Sequence, residues 1–250
     1  MTSQFCGMVD LRAKQGFTVY QTNLRSDMGA ADRYWIDGGM PKGAEDLPNV
    51  AFYQQELDRR MAYIADAGLV NALGQSWAFS IRGEHGVEHQ KHLARYLVAR
   101  YGAYPMVWTL AGEVAGYGEE NRAAFLEGWR EVALEIEARD GYGHLATAHY
   151  TNERPFADYY QDELWMDFTL NQAGHGDYLI KASDYYDYLA KYGDKPFVEG
   201  EALYEFCSTL EEMGTRLCTA DMLRRVAYIC MQAGGAGYTY GAQGIWDNVW

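Results

Sequence analysis

The chain has 250 residues, 48% of them hydrophobic, and a formal net charge of −14. That length and apolar content allow one sizeable core and exclude an intrinsically disordered chain. The acidic balance argues against nucleic acid or an anionic membrane as partner, since either would select a basic face.

The 21 Tyr and 7 Trp supply rings with a polar edge, which suit sugar faces and polar clefts as well as cores. Cys6, Cys207, Cys218 and Cys230 show neither CxxC nor zinc-finger spacing and read as buried thiols. No run approaches the ~18 apolar residues of a membrane span. The opening MTSQFCGMVDLRAK has no apolar core or cleavage site, so no signal peptide is read there.

In chain order, Val9 to Gly16 reads as the end of a helix, and FTVYQTNL (17–24) as a strand followed by a Gly-rich acidic loop through Pro48. Leu57, Met61, Ile64 and Ala65 lie on one helix face that stops near Gly68. LVNALGQSW (69–77) is the next strand. Leu93, Tyr96, Leu97, Tyr101 and Tyr104 then line a helix ending before Pro105. MVWTLAGE (106–113) is a strand, and Phe125, Trp129, Val132, Ala133 and Ile136 form the face of the helix after it.

LATAHYT, WMDFTLNQ, PFVEGEALYE and GAGYTYG continue the strands, with helical segments near 183–192 and 219–232. Strands separated by helix-containing connections predict parallel βαβ crossovers. No Gly-rich dinucleotide loop opens a helix, so the reading is α/β, a (β/α)8 TIM barrel incomplete at its N-terminus, with 1–250 as one catalytic domain.

In such a barrel the chemistry gathers at the C-terminal strand ends. Here those ends carry Asn23 with Arg25, Gln75 with Trp77, Glu113, His149, Gln172 with His175, Glu199 with Glu201, and Tyr240 followed by Trp246. Glu113 and Glu201 would end strands 4 and 7. Two carboxylates with aromatic neighbours suit glycosidic cleavage, one protonating the leaving oxygen while the other attacks or activates water.

With these residues in view, the chain resembles the apiosidase-like (β/α)8 glycoside hydrolases, the group containing glycoside hydrolase family 140. The likeness lies in KQGFTVYQ, AYIADAGLVNALGQSW, HLARYLVARYGAYPMVWTLAGE, WMDFTLNQAGHG, KPFVEGEALYE and RRVAYICMQAGGAGYTYGAQGIW, in that order. It implies Glu113 as acid/base, Glu201 as the second catalytic carboxylate, and His149, Gln172, His175 and Tyr240 lining a sugar site. The strand-end reading adds Asn23, Trp77 and Trp246 as substrate contacts. The likeness also implies hydrolysis of plant-type polysaccharide or oligosaccharide side chains, a carbohydrate partner, no cofactor and no metal, and an extracellular or periplasmic setting.

The chain departs from the resemblance in carrying Glu113 where many relatives have Asp, and Glu199 where relatives often have Asn. Because residues 199 and 201 share one side of a regular strand, Glu199 is a rival catalytic group, and repulsion between the two would raise one pKa. The family's first strand and its C-terminal β-sandwich are absent from the sequence as read. Two alternatives stand beside the hydrolase. One is a non-catalytic carbohydrate-binding barrel. The other is a zinc peptidase built on His85-x-x-Glu88-His89, the inverted zinc-peptidase pattern.

Overall fold

The computed structural model describes residues 2–24, 47–83, 86–152, 156–175, 180–211 and 214–245. Arg25, His85 and Trp246, singled out above, lie outside the described residues. The chain divides into two compact units, Met1–Ala148 and His149–Trp250.

In the first unit, helix α1 (Ser3–Lys14) starts where the Thr2 side chain accepts the Phe5 N–H. Three parallel strands follow in spatial order: β1 (Val19–Asn23), β2 (Val70–Trp77) and β3 (Met106–Gly112). Parallel pairing demands crossovers, and helices supply them. Helix α2 runs through Val50–Phe52, a π-helical stretch Tyr53–Leu57 and Asp58–Asp66, while α3 is Gly86–Tyr101.

Helix α4 is Glu119–Arg139 and buries the predicted face, Phe125, Trp129, Val132, Ala133 and Ile136. Burying each such large apolar side chain is worth about 1.5–3 kcal/mol. The interior of β2 is buried throughout, including the polar Asn71, Gln75 and Ser76, whose side chains find hydrogen-bond partners inside the protein. Arg100 on α3 grips Asp58 on α2 with two hydrogen bonds of 2.7 and 2.6 Å, fixing the helices to each other.

The second unit has a parallel sheet in the order β4 (Thr169–Gln172), β5 (Phe197–Glu201) and β9 (Gly237–Tyr238). Helix α5 (Ala182–Tyr192) connects β4 to β5, and α6 (Ala220–Gln232) leads to β9. Their apolar faces meet the strands in a cluster that includes Tyr185, Tyr188, Phe197, Val226 and Cys230.

Several sequence expectations need correcting. LATAHYT is not a continuous strand. Ala146 bridges to Trp108 and His149 to Leu170 as isolated pairs, because residues 145–151 meet neighbours only at single points. PFVEGEALYE splits into β5 and a two-residue β6 (Tyr204–Glu205), which pairs with β10 (Gly241–Ala242). An unanticipated antiparallel hairpin, β7 (Ser208–Glu211) with β8 (Gly214–Leu217), precedes α6. Of the four cysteines, all free, only Cys218 and Cys230 are buried, while Cys6 and Cys207 are half-buried.

Candidate active site

The strand ends of the first unit bring Asn23, Trp77 and Glu113 to the C-terminal edge of one sheet. Asn23 Nδ2 donates to the Ser76 carbonyl at 2.5 Å, so this side chain also ties β1 to β2. Gln75 does similar structural work, donating at 2.9 Å to both the carbonyl and the side-chain oxygen of Gln90 on α3. Trp77 lies with its ring over Gly112, and a Cβ at residue 112 would run into that ring. The strand can therefore end in a flat aromatic contact only because residue 112 is glycine.

Glu113 comes next, with φ 54°, in the left-handed region that costs a non-glycine residue about 1–2 kcal/mol. It is 5% exposed. Its backbone is held in a tight turn by the Gly116 N–H, which donates to its carbonyl at 2.7 Å, and the Tyr117 hydroxyl donates to Oε2. Tyr117 was not anticipated. Its spacing of four residues from Glu113 is helical, but the turn between them is not.

In the second unit, Glu201 closes β5 between two histidines. His175 Nε2 lies 2.7 Å from Oε1, and His149 Nε2 lies 3.1 Å from Oε2. The Glu201 side chain keeps 14% of its surface exposed. Burial pushes its pKa up, but the His149 and His175 contacts outweigh that and hold the carboxyl well below the usual range. The Tyr204 ring packs on His175 with centroids 4.3 Å apart. Gln172 is buried, and among the described residues Gln172 Oε1 and His175 Nδ1 have no hydrogen-bond partner. Tyr240 donates to Glu205 Oε2 at 2.5 Å, which turns its hydroxyl toward β6. Tyr204 and Glu205 were missed by sequence reasoning, which treated β6 as a continuation of β5.

Glu199 does not share the surroundings of Glu201. Asn171 pairs with Glu199 and Gln172 with Glu201, so Gly200 is an extra residue and the strand bulges there. A Cβ on Gly200 would stand 2.5 Å from Leu170 Cδ1 and 3.2 Å from the Asn171 carbonyl, which fits the bulge to glycine. Glu199 is fully buried and bonds Asn171 and Tyr185, whereas Glu201 keeps partial access to solvent. Its pKa is raised to about 7 by burial, against the lowering effect of its hydrogen bonds. Repulsion between the two carboxylates, expected from regular alternation, is not the cause.

Residues 2–250 match the family described as apiosidase-like, catalytic domain. The chain belongs to that family. No match was found among curated proteins. Among solved structures, the apiosidase-like domain is 21% identical to a glycoside hydrolase family 5 structure from Bacteroides vulgatus, with TM-score 0.76, covering 97% of this chain and 55% of that one. An endo-1,4-β-mannanase from Rhizomucor miehei is 13% identical, TM-score 0.66, covering 96% and 82%. An endoglucanase from Thermotoga maritima is also 13% identical, TM-score 0.63, covering 95% and 82%.

These likenesses show the α/β fold of the (β/α)8 glycoside hydrolases, and the family is that of the apiosidase-like catalytic domains. The domain spans about half the length of the first two structures matched, 55% and 48% of those chains.

In the zinc-peptidase pattern, Glu88 is bonded to Lys91 at 3.0 Å with its side chain 53% exposed, while His89 is buried. Among the described residues no group of three His, Cys, Asp or Glu side chains is arranged to hold a metal, and no helix is long and apolar enough to cross a membrane.

Proposed function

We propose that the apiosidase-like domain, as one catalytic domain over residues 1–250, hydrolyses O-glycosidic bonds in plant-type polysaccharide or oligosaccharide side chains. Glu201 serves as nucleophile and Glu113 as acid/base, in a retaining reaction that needs no cofactor. The observation that carries this reading is Glu201 itself. A carboxylate at a strand end, partly open to solvent and held ionised by His149 and His175, is ready to attack an anomeric carbon.

Glu113 supplies the complementary role. Tyr117 orients its Oε2, and low exposure favours proton transfer to a leaving oxygen rather than to water. Gln172 Oε1, an acceptor, and His175 Nδ1 are the groups left to meet sugar hydroxyls. Trp77, His149 and Tyr240 offer ring faces or edges to a sugar, Asn23 an amide, and Trp246 completes the assigned contacts.

The test is reducing-sugar release from a panel of plant cell-wall polysaccharides by the parent chain, Glu113→Gln and Glu201→Gln. Release from one polymer that disappears in both variants supports the reading. Sugar affinity without release in the parent, unchanged in both variants, would replace it with a binding domain. Undiminished release by Glu201→Gln would sink the assignment of the nucleophile.

A further inference from the structure

Glu199 takes no part in the chemistry above, yet it is fully buried and every oxygen position on it is used. Asn171 Nδ2 and the Tyr185 hydroxyl donate to Oε2 at 2.8 and 3.1 Å. The backbone N–H of Ala173 and that of Glu201 both donate to Oε1, at 3.1 and 3.3 Å. A third link closes beside them, from the Gly174 N–H to the Glu201 carbonyl at 3.1 Å. At the Gly200 bulge the regular ladder is broken, so the main-chain donor of Glu201 needs another acceptor. Glu199 provides it.

We propose that Glu199 is a positioning residue for Glu201: its Oε1 gathers the N–H groups of Glu201 and Ala173 at one point and fixes the end of β5 against the turn that carries His175. This rests on the reading of Glu201 as a catalytic carboxylate. The bonding makes the two oxygens unequal. Oε1 faces two main-chain donors that cannot reverse, so it must remain an acceptor. Oε2 faces an amide and a hydroxyl, and the Tyr185 hydroxyl can turn to accept. A proton on Glu199 therefore belongs on Oε2 and leaves the Oε1 contacts intact.

The titratable groups around Glu199 are Tyr185 on α5, Cys230 on α6, Tyr238 on β9, and Glu201 with its partner His175. Burial, with the nearby Glu199 charge, pushes Cys230 up to about 12 and raises Tyr238 as well. Cys230 and Tyr238 therefore stay neutral at physiological pH and supply no countercharge.

The experiment is nitrogen-15 NMR of the parent chain, Glu199→Ala, Glu199→Gln, Tyr185→Phe and, as the reference for a lost His175 contact, Glu201→Gln, reading exchange of the Ala173 and Glu201 amides and the His175 imidazole signals. Amides of β1 and β2 report whether each variant remains folded. Glu199→Ala should speed exchange at both amides at least tenfold and move the His175 Nε2 signal toward its position in Glu201→Gln. Glu199→Gln, which keeps an oxygen at the Oε1 position, should restore both, and Tyr185→Phe should leave both unchanged. If Glu199→Ala does not fold, the last two variants carry the test.

Parent-like exchange and His175 signals in Glu199→Ala would overturn the proposal. So would disturbed exchange in Glu199→Gln or Tyr185→Phe. Failure of the hydrolase reading is seen separately, as sugar release that survives Glu201→Gln.

Discussion

At the end of β3 the backbone sets the carboxylate: Glu113 sits in left-handed geometry, pinned by the Gly116 N–H and touched by Tyr117. At the end of β5 the work falls to side chains, with two histidines on Glu201 and a buried Glu199 gathering the main chain around it. The first arrangement stores conformational strain, while the second stores electrostatic free energy. Strain is relieved by changing the backbone preference of one residue. Electrostatic stabilisation depends on pH and on each partner separately.

The largest effects should separate the two ends by reaction step. Glu201→Gln removes the proposed nucleophile and should lower the rate on the order of 10⁶-fold. Glu113→Gln removes the proposed proton donor and should cost roughly 10²–10⁴-fold on a sugar leaving group, and much less on a good leaving group. Equal losses from Glu113→Gln on both kinds of substrate would count against the acid/base role.

The pH dependence of stability should differ in sign between the neighbours on β5. Glu199 has a folded pKa raised from 4.5 to about 7, so its contribution is full below pH 4.5 and fades as pH rises through about 7. Glu201 is lowered, so its contribution is present above 4.5 and lost on acidification below that value. Denaturant titrations across pH should show Glu199→Gln flattening the neutral-side loss by a few kcal/mol, and Glu201→Gln flattening only the acid side. The same slope in parent and Glu199→Gln between pH 4.5 and 7 would contradict this.

Gly200→Ala must push against Leu170 and the Asn171 carbonyl, and should destabilise by about 1–3 kcal/mol in thermal or chemical unfolding. The smallest effect tests strain at β3. Glu113→Gly should be about 1 kcal/mol more stable than Glu113→Ala, because only glycine adopts φ 54° without cost. Equal stability of the two would mean the turn carries no strain.

Much of this was legible in the sequence, for identifiable reasons. The strand β3 announces itself through a mostly apolar run, β2 and β5 through short β-rich stretches between helical segments, and the helix α4 through a clear helical face. The family likeness, borne out over residues 2–250, supplied roles that periodicity alone does not give. What stayed hidden was local and depended on tertiary contact.

A strand-like composition in LATAHYT does not say that its pairing breaks up into isolated bridges at Ala146 and His149. Nothing in VEGE marks the glycine as a bulge, so alternation put Glu199 and Glu201 together where the fold gives them different company. The turn after β3 is signalled by Gly116, but nothing marks Glu113 itself, rather than a neighbouring glycine, as a residue in left-handed geometry. Tyr117, Tyr204 and Glu205 are ordinary surface-type residues until the chain folds them onto Glu113, His175 and Tyr240.

The contact between Trp77 and Gly112 has a consequence for how this site can change over generations or in a mutant library. The indole occupies the space that any side chain at residue 112 would need. Single replacements at 112 are therefore blocked while Trp77 remains, and trimming Trp77 alone leaves a hole beside Glu113. The two positions form an epistatic pair. Shrinking 77 and enlarging 112 together opens routes that neither substitution offers alone, and a double-variant cycle should show the pair destabilising by less than the sum of the two single variants.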